Sequence, residues 1–128
     1  MKPLELLVGL RLGTGQNDRR CWQAFSRDAK RERAAVWTAL WLHFRGVMPG
    51  DPSDFRAAVG KGPWLVTVSR ISPGPGVDAH DNLPAAAKHV VDEVAAWLGI
   101  DDRSPLVTWR YAQERGPWGV RLRIEDRP

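Results

Sequence analysis

The chain of 128 residues contains a single cysteine, and it has no run of about 18 apolar residues, the length that a membrane-spanning helix needs. One thiol, Cys21, excludes an intrachain disulfide and a zinc site built from several thiolates. The amino terminus alternates polar and apolar residues, unlike a secretory signal. We therefore expect a protein of the reducing cytoplasm with no membrane partner.

Basic residues are almost missing from residues 78–102, where Lys88 is the only Lys or Arg beside six acids. Residues 1–77 carry 12 basic and 6 acidic side chains, residues 103–128 carry 6 and 3, and the net charge is +4. Basic surfaces neutralise phosphates, so the charge and a pI near 9.8 favour nucleic-acid binding, although a solvated basic face is the simpler alternative. An acidic segment inside a basic body suggests a metal site that faces a polyanion.

Hydrophobic periodicity in the first half of the chain predicts a strand, a helix and a second strand. Alternation from Leu4 to Leu12 is typical of a half-buried strand. Ser26 can cap a helix that runs to about Phe44, with Gly46 suited to its carboxyl-terminal cap. Residues 46–63 are rich in Pro and Gly and are interpreted as a connection, and residues 64–71 as the second strand.

The second half predicts another helix and two more strands. Asp81 or Asn82 can cap a helix that ends at Gly99. Its apolar face, together with Trp37 and Trp41 of the first helix, is expected in the core; that face comprises Leu83, Ala87, Val90, Val91, Val94, Trp97 and Leu98. Residues 106–112 and 118–125 are expected to pair as a hairpin. The prediction is one α+β domain over residues 1–128, a mixed sheet covered by two main helices in the order β-α-β-α-β-β.

Acidic residues and one lysine share the polar face of the second predicted helix. At about 100° per residue, Asp81, Lys88 and Asp92 fall on one side if the helix extends back to Asp81. Asp102 lies beyond the end of a helix of roughly 20 to 25 Å, so it joins Asp81 only if the chain folds back. Mg²⁺ takes carboxylate oxygens and often binds through one or two of them plus substrate phosphate. The alternative is an ordinary solvated face, with Asp81 as a cap and Asp92 paired with Lys88.

Three short motifs resemble a known family. Asp81-Asn82-Leu83, then Lys88 followed four residues later by Asp92, then the pair Asp101-Asp102 are similar in order to the RusA-type Holliday-junction resolvases, in particular phage members. The similarity covers residues from about 66 to 124. Ala79 stands where the family has its first aspartate, which Asp78 would have to supply, and Lys88 lies seven residues after Asp81 rather than four.

The resemblance implies a homodimeric endonuclease, dependent on Mg²⁺ or on Mn²⁺ in its place, that nicks opposed strands of four-way DNA junctions. It implies metal ligands at Asp81, Asp102 and Asp78, an essential Lys88, and supporting roles for Asn82, Asp92 and Asp101. Basic candidates for binding branched DNA are Arg19, Arg20, Lys30, Arg31 and Arg70. The alternatives are a non-catalytic DNA-binding protein of the same fold and an interaction module whose acidic helix docks a partner.

Overall fold

A computed structural model describes residues 3–12, 22–43, 53–74 and 82–128, which form four strands and four helices. In chain order the elements are β1 (Leu4–Val8), α1 (Trp22–His43), α2 (Ser53–Val59), β2 (Trp64–Ser72), α3 (Asn82–Ala86), α4 (Lys88–Leu98), β3 (Val107–Arg115) and β4 (Gly119–Asp126). The predicted α+β class is confirmed. None of the described helices is long and apolar enough to cross a membrane.

The four strands form one mixed sheet in the order β1-β4-β2-β3. β2 is antiparallel to β4 and parallel to β3, so the predicted hairpin of the last two strands is wrong. Eight of the nine residues of β2 are buried, so the backbone N–H and C=O groups on both of its edges need partners other than water. β2 obtains them by lying between β4 and β3. The link between β3 and β4 passes the end of β2, where the Gly116 N–H donates to the Ser72 carbonyl at 3.0 Å.

The core lies between one face of this sheet and the helices. Alternate strand residues point into it, as Val66 and Val68 of β2 and Leu122 of β4 do, and all three are at most 1% exposed. The parallel β2–β3 pair requires a crossover connection, which α3 and α4 supply. The crossover therefore carries the chain from the carboxyl end of β2 back along the sheet, and it contains the acidic segment.

The predicted apolar face of the second helix is confirmed, since all seven of its residues are buried. The helix is not continuous, however, because it is interrupted at Ala87. Gly99 ends α4 with a φ of 75°, a left-handed conformation that favours glycine. Its N–H donates to Ala96 O and the N–H of Ile100 donates to Ala95 O, the paired bonds of a Schellman motif. This motif turns the chain back.

Three details of the first half differ from expectation. α1 begins at Trp22, so Ser26 lies inside the helix and does not cap it; Phe44 and Gly46 lie outside the described residues. Residues 53–59, interpreted as part of a connection, form α2, which buries Phe55 and Val59 one helical turn apart. Trp37 is 39% exposed and stacks on Trp41, with ring centroids 6.0 Å apart.

The other face of the sheet carries charges that pair with one another. The Arg121 guanidinium lies 3.0 Å from Glu114 and 3.4 Å from Glu5. Arg123 lies 3.3 Å from both Glu5 and Glu125. These arginines therefore have carboxylate partners within the sheet itself.

Candidate active site

Lys88 lies between two carboxylates at the start of α4. Its Nζ is 2.9 Å from Asp92 Oδ1 and 3.1 Å from Asp102 Oδ2. The contact with Asp92 is the i,i+4 pairing that helical spacing predicts. Asp102 follows the end of the helix, yet it returns to Lys88 because the chain reverses after Gly99. The length of the helix therefore does not separate Asp102 from the first turn of α4.

The loop that carries Asp102 is held by its own turn and by β3. The backbone N–H of Arg103 donates to Asp101 Oδ1 at 2.8 Å, and that of Ser104 donates to Asp101 O at 3.0 Å. Asp101 thus shapes the turn and makes no ion pair with Lys88 in the described contacts. The indole N–H of Trp109 donates to the carbonyl of Asp102 at 2.8 Å.

Trp109 is a residue of the site that the sequence motifs do not include, although the alternation in β3 could have indicated its place. Val107, Trp109 and Tyr111 occupy every second position, so they share the helix-facing side of the strand. Tyr111 also belongs to the surroundings of the site. Burial, and secondarily the charge of Asp102, raises the pKa of its hydroxyl, which is therefore neutral at physiological pH.

Mutual pairing favours the charged forms of Lys88 and Asp102. The hydrogen bonds to Asp92 and then Asp102 raise the pKa of Lys88 above 10.5. The hydrogen bond from Lys88 lowers the pKa of Asp102 below 3.8. The site therefore carries an ammonium and ionised Asp102 at neutral pH. All three side chains remain accessible to a substrate, with exposed fractions of 54% for Lys88, 29% for Asp92 and 28% for Asp102.

The other predicted site residues fall into three groups. Asp78, Asp81, Arg19 and Arg20 lie outside the described residues; Asn82 opens α3, but its side chain also lies outside the description. Lys30 and Arg31 are exposed on α1, and Arg31 lies 3.5 Å from Asp28. Arg70 is separate from all of these, because it is buried on the helix-facing side of β2.

The basic part of α1 runs beside the start of α4. Arg33 lies 3.1 Å from Glu93. Asp28 and Arg33 also act electrostatically on His89, the residue after Lys88. Arg33, an exposed cation of α1, thus lies beside the first turns of α4, near the Lys88 cluster, by which we mean Lys88, Asp92 and Asp102.

The donors of the Lys88 cluster agree in chemical type with a Mg²⁺ site. Mg²⁺ prefers oxygen ligands and commonly uses one or two carboxylates, with waters and substrate phosphate in the remaining positions. Asp92 and Asp102 supply two carboxylates, and Lys88 contacts one oxygen of each. Within the described ranges, no three His, Cys, Asp or Glu side chains converge on one point. A complete ligand set would therefore draw on residues such as Asp81, which lies outside those ranges.

Comparison with protein-family models and with curated proteins gives no match for this sequence. The function is therefore inferred from the geometry of the Lys88 cluster and from the motifs in the sequence itself.

Proposed function

We propose that this protein is a Mg²⁺-dependent endonuclease that resolves four-way DNA junctions by paired nicks. The observation that carries the proposal is the meeting of Lys88 with Asp92 and Asp102, from the start of a helix and from the loop beyond its end. Lys88 and Asp102 are the first and last of 15 consecutive residues, and the turn after α4 brings them into one polar cluster with Asp92. The same order of residues carries the RusA resemblance.

The roles of the chain's own residues follow from their charges. Lys88, held protonated by two carboxylates, would neutralise charge that builds on the phosphate oxygens in the transition state. Asp102, held ionised, would bind the ion together with Asp81 and Asp78. Asp92 would orient Lys88 through the i,i+4 contact. Exposed Lys30 and Arg31 would contact backbone phosphates outside the cleavage point.

A bound Mg²⁺ would supply polarisation of the scissile phosphate and a lower pKa for the attacking water. Hydrolysis of one phosphodiester in each of two opposed strands would leave ends that a ligase can rejoin. A homodimer suits such a substrate, because its two-fold symmetry would place one site on each strand.

The test is cleavage of a labelled four-way junction beside a linear duplex of the same sequence, in Mg²⁺ and in EDTA. We expect paired nicks in the junction alone, and loss of at least about 100-fold in rate for Asp102→Asn. Glu125→Gln is the matched control, since it makes the same acid-to-amide change on the opposite face of the sheet. Nicking that persists in EDTA or in Asp102→Asn would contradict the proposal.

A second candidate is a DNA-binding protein that does not cleave. It is favoured by Ala79, which leaves the first aspartate of the family pattern without a carboxylate in register. This candidate predicts tight junction binding in EDTA and no nicks over a range of Mg²⁺ and Mn²⁺ concentrations. Its affinity would fall steeply with salt, because phosphate contacts release counterions. A pure interaction module would show neither nicking nor salt-dependent binding of DNA.

A further inference from the structure

Arg70 is a buried cation without a carboxylate partner in the described part of the chain. It lies near the carboxyl end of β2, on the helix-facing side, and only 4% of it is exposed. Its Nη1 donates to Ser72 Oγ at 3.1 Å, and its Nε has no hydrogen-bond acceptor among the described residues. Buried arginines are almost always paired, because taking a charge out of water without compensation is costly.

The surroundings of Arg70 add a second positive charge. The Arg70 Cζ lies 5.2 Å from the centroid of the Trp118 ring, and the Cζ of exposed Arg11 lies 4.4 Å from the same centroid. An aromatic face attracts both cations but neutralises neither of them. Burial and the nearby charge of Arg11 lower the pKa of Arg70 from its ordinary value. The folded chain thus brings like charges together.

Two other arginines of the sheet differ from Arg70 in their surroundings. Arg121 and Arg123, half-buried on the opposite face, each contact two carboxylates. Arg70 is better shielded from water, and among the described residues its one side-chain acceptor is a hydroxyl oxygen. The charge of an oxyanion from outside the chain would offset the repulsion between the two guanidinium groups, and a small shift of the side chains that cover Nε would let the oxyanion accept from its N–H.

We propose that Arg70, Arg11 and Ser72, bordered by Trp118, form a binding recess for a phosphate group of the DNA backbone. A guanidinium presents parallel N–H donors that match two oxygens of a phosphate. Trp118 is 37% exposed and offers a surface on which a sugar or base can pack. This assignment of the ligand to DNA rests on the proposed function.

The position of the recess agrees with a role beside the Lys88 cluster. On the helix-facing side of the β2–β3 pair, Arg70 is level with Gln113 and Val68 is level with Tyr111. Trp109, the next residue along this face, donates to the carbonyl of Asp102, so this face of β3 leads from Arg70 to the Lys88 cluster. The four strand residues from the level of Arg70 to that of Trp109 span roughly 13 Å, and a DNA strand carries one phosphate per about 3.4 Å of helix axis. One strand can therefore reach both places.

The experiment follows the side-chain Nε–H resonance of Arg70 by NMR, assigned by its loss in Arg70→Lys. Inorganic phosphate is titrated against chloride at constant ionic strength, and then junction DNA is added in EDTA. We expect both phosphate and DNA to shift this resonance. Junction affinity should fall roughly tenfold in Arg70→Lys, which keeps the charge but loses the planar fork. Arg70→Gln should also reduce the salt slope by about 1.

Arg110 provides matched controls, because it is exposed on the other face of β3, where Arg110→Lys and Arg110→Gln should leave affinity unchanged. If neither phosphate nor DNA shifts the Arg70 resonance, in protein that nicks junctions normally, the proposed phosphate site is contradicted and the proposed nuclease activity is not. A shift with phosphate but not with DNA would overturn the assignment to DNA. A shift with both, in protein that never nicks, would support the recess and reject the nuclease.

Discussion

Lys88 and Arg70 are both cations on the helix-facing side of the sheet, and their surroundings are opposite. Lys88 is more than half exposed and is shared by two carboxylates. Arg70 is buried, meets one hydroxyl oxygen and has Arg11 close by. The pKa of Lys88 is raised by its partners, whereas the pKa of Arg70 is lowered by burial.

The difference shows how the surroundings of a charged side chain indicate its role. The charge of a cation that contacts two acids is already neutralised within the cluster. Such a cation can release its carboxylates to a metal ion and contact a substrate phosphate instead. A cation with no acid among the described residues indicates a charge that a partner from outside them can balance. The two regions therefore suggest different roles toward one ligand: catalysis at Lys88 and binding at Arg70.

We expect the largest loss of junction cleavage when Lys88, the cation that is paired with two carboxylates, is replaced. Lys88→Met removes the ammonium and keeps the length of the stem, and we expect junction nicking to fall about 100-fold or more. Binding in EDTA should weaken only slightly, because the variant loses one exposed positive charge and leaves Asp92 and Asp102 without their pairing cation. Lys61→Met, in the exposed turn before β2, is the matched control. Full nicking activity in Lys88→Met would exclude Lys88 from the chemistry.

A smaller effect is expected from the contact that holds the Asp102 loop. Trp109→Phe keeps an aromatic ring but removes the indole N–H that donates to the Asp102 carbonyl. We expect a loss of about 1 kcal/mol in the free energy of unfolding and a drop in nicking rate of roughly tenfold, because Asp102 is no longer fixed. Trp37→Phe, on the exposed part of α1, should change neither. Urea unfolding and junction cleavage measure the two quantities, and unchanged cleavage would show that the loop needs no such support.

Much of this arrangement follows from local sequence signals. Leucine and valine spacing indicated β1 and the buried face of α4, and Gly99 indicated where α4 ends, because periodicity and capping depend on neighbouring residues. The pairing of Lys88 with Asp92 follows from the same helical geometry. Short α2 was missed because the Pro and Gly residues around residues 53–59 outweigh one apolar turn.

Non-local features could not be obtained in this way. The hairpin prediction failed because strand pairing depends on which strand needs hydrogen-bond partners on both edges, and only the short apolar run of residues 64–66 at the start of β2 hinted at that. The return of Asp102 to Lys88 depends on the turn after α4, which spacing alone does not reveal. Arg70 did leave a signal, since it follows Val66 and Val68 at every second position of a buried strand.

The buried charge of Arg70 can be tested by measuring the free energy of unfolding alone. In phosphate-free buffer, Arg70→Met should raise the free energy of unfolding by on the order of 1 kcal/mol, because it removes an uncompensated buried charge. Lys88→Met should lower it by less than about 1 kcal/mol, since its ion pairs are exposed. Phosphate should stabilise the wild type but not Arg70→Met. A strong destabilisation by Arg70→Met would mean that the chain itself compensates this charge.

The smallest effect concerns His89, the residue after Lys88, whose pKa is lowered from 6.5 by burial first. Asp92 and Asp28 act in the opposite direction, and Lys88 and Arg33 add to the lowering. Above pH 6.5 the ring is neutral in both the folded and the unfolded chain, so its contribution to stability is complete. As pH falls below that value, the unfolded chain takes up a proton that the folded one does not, and stability is lost down to the folded pKa.

Urea unfolding of the wild type and of His89→Gln, above and below pH 6.5, measures this loss. Acidification should destabilise the wild type more than His89→Gln. In Lys88→Met the difference should narrow, because one of the cations that lowers the pKa of His89 is gone. If Lys88→Met leaves the difference unchanged, Lys88 does not contribute to the pKa of His89. The charge of Lys88 would then be neutralised by Asp92 and Asp102 so fully that it has no effect on the neighbouring imidazole.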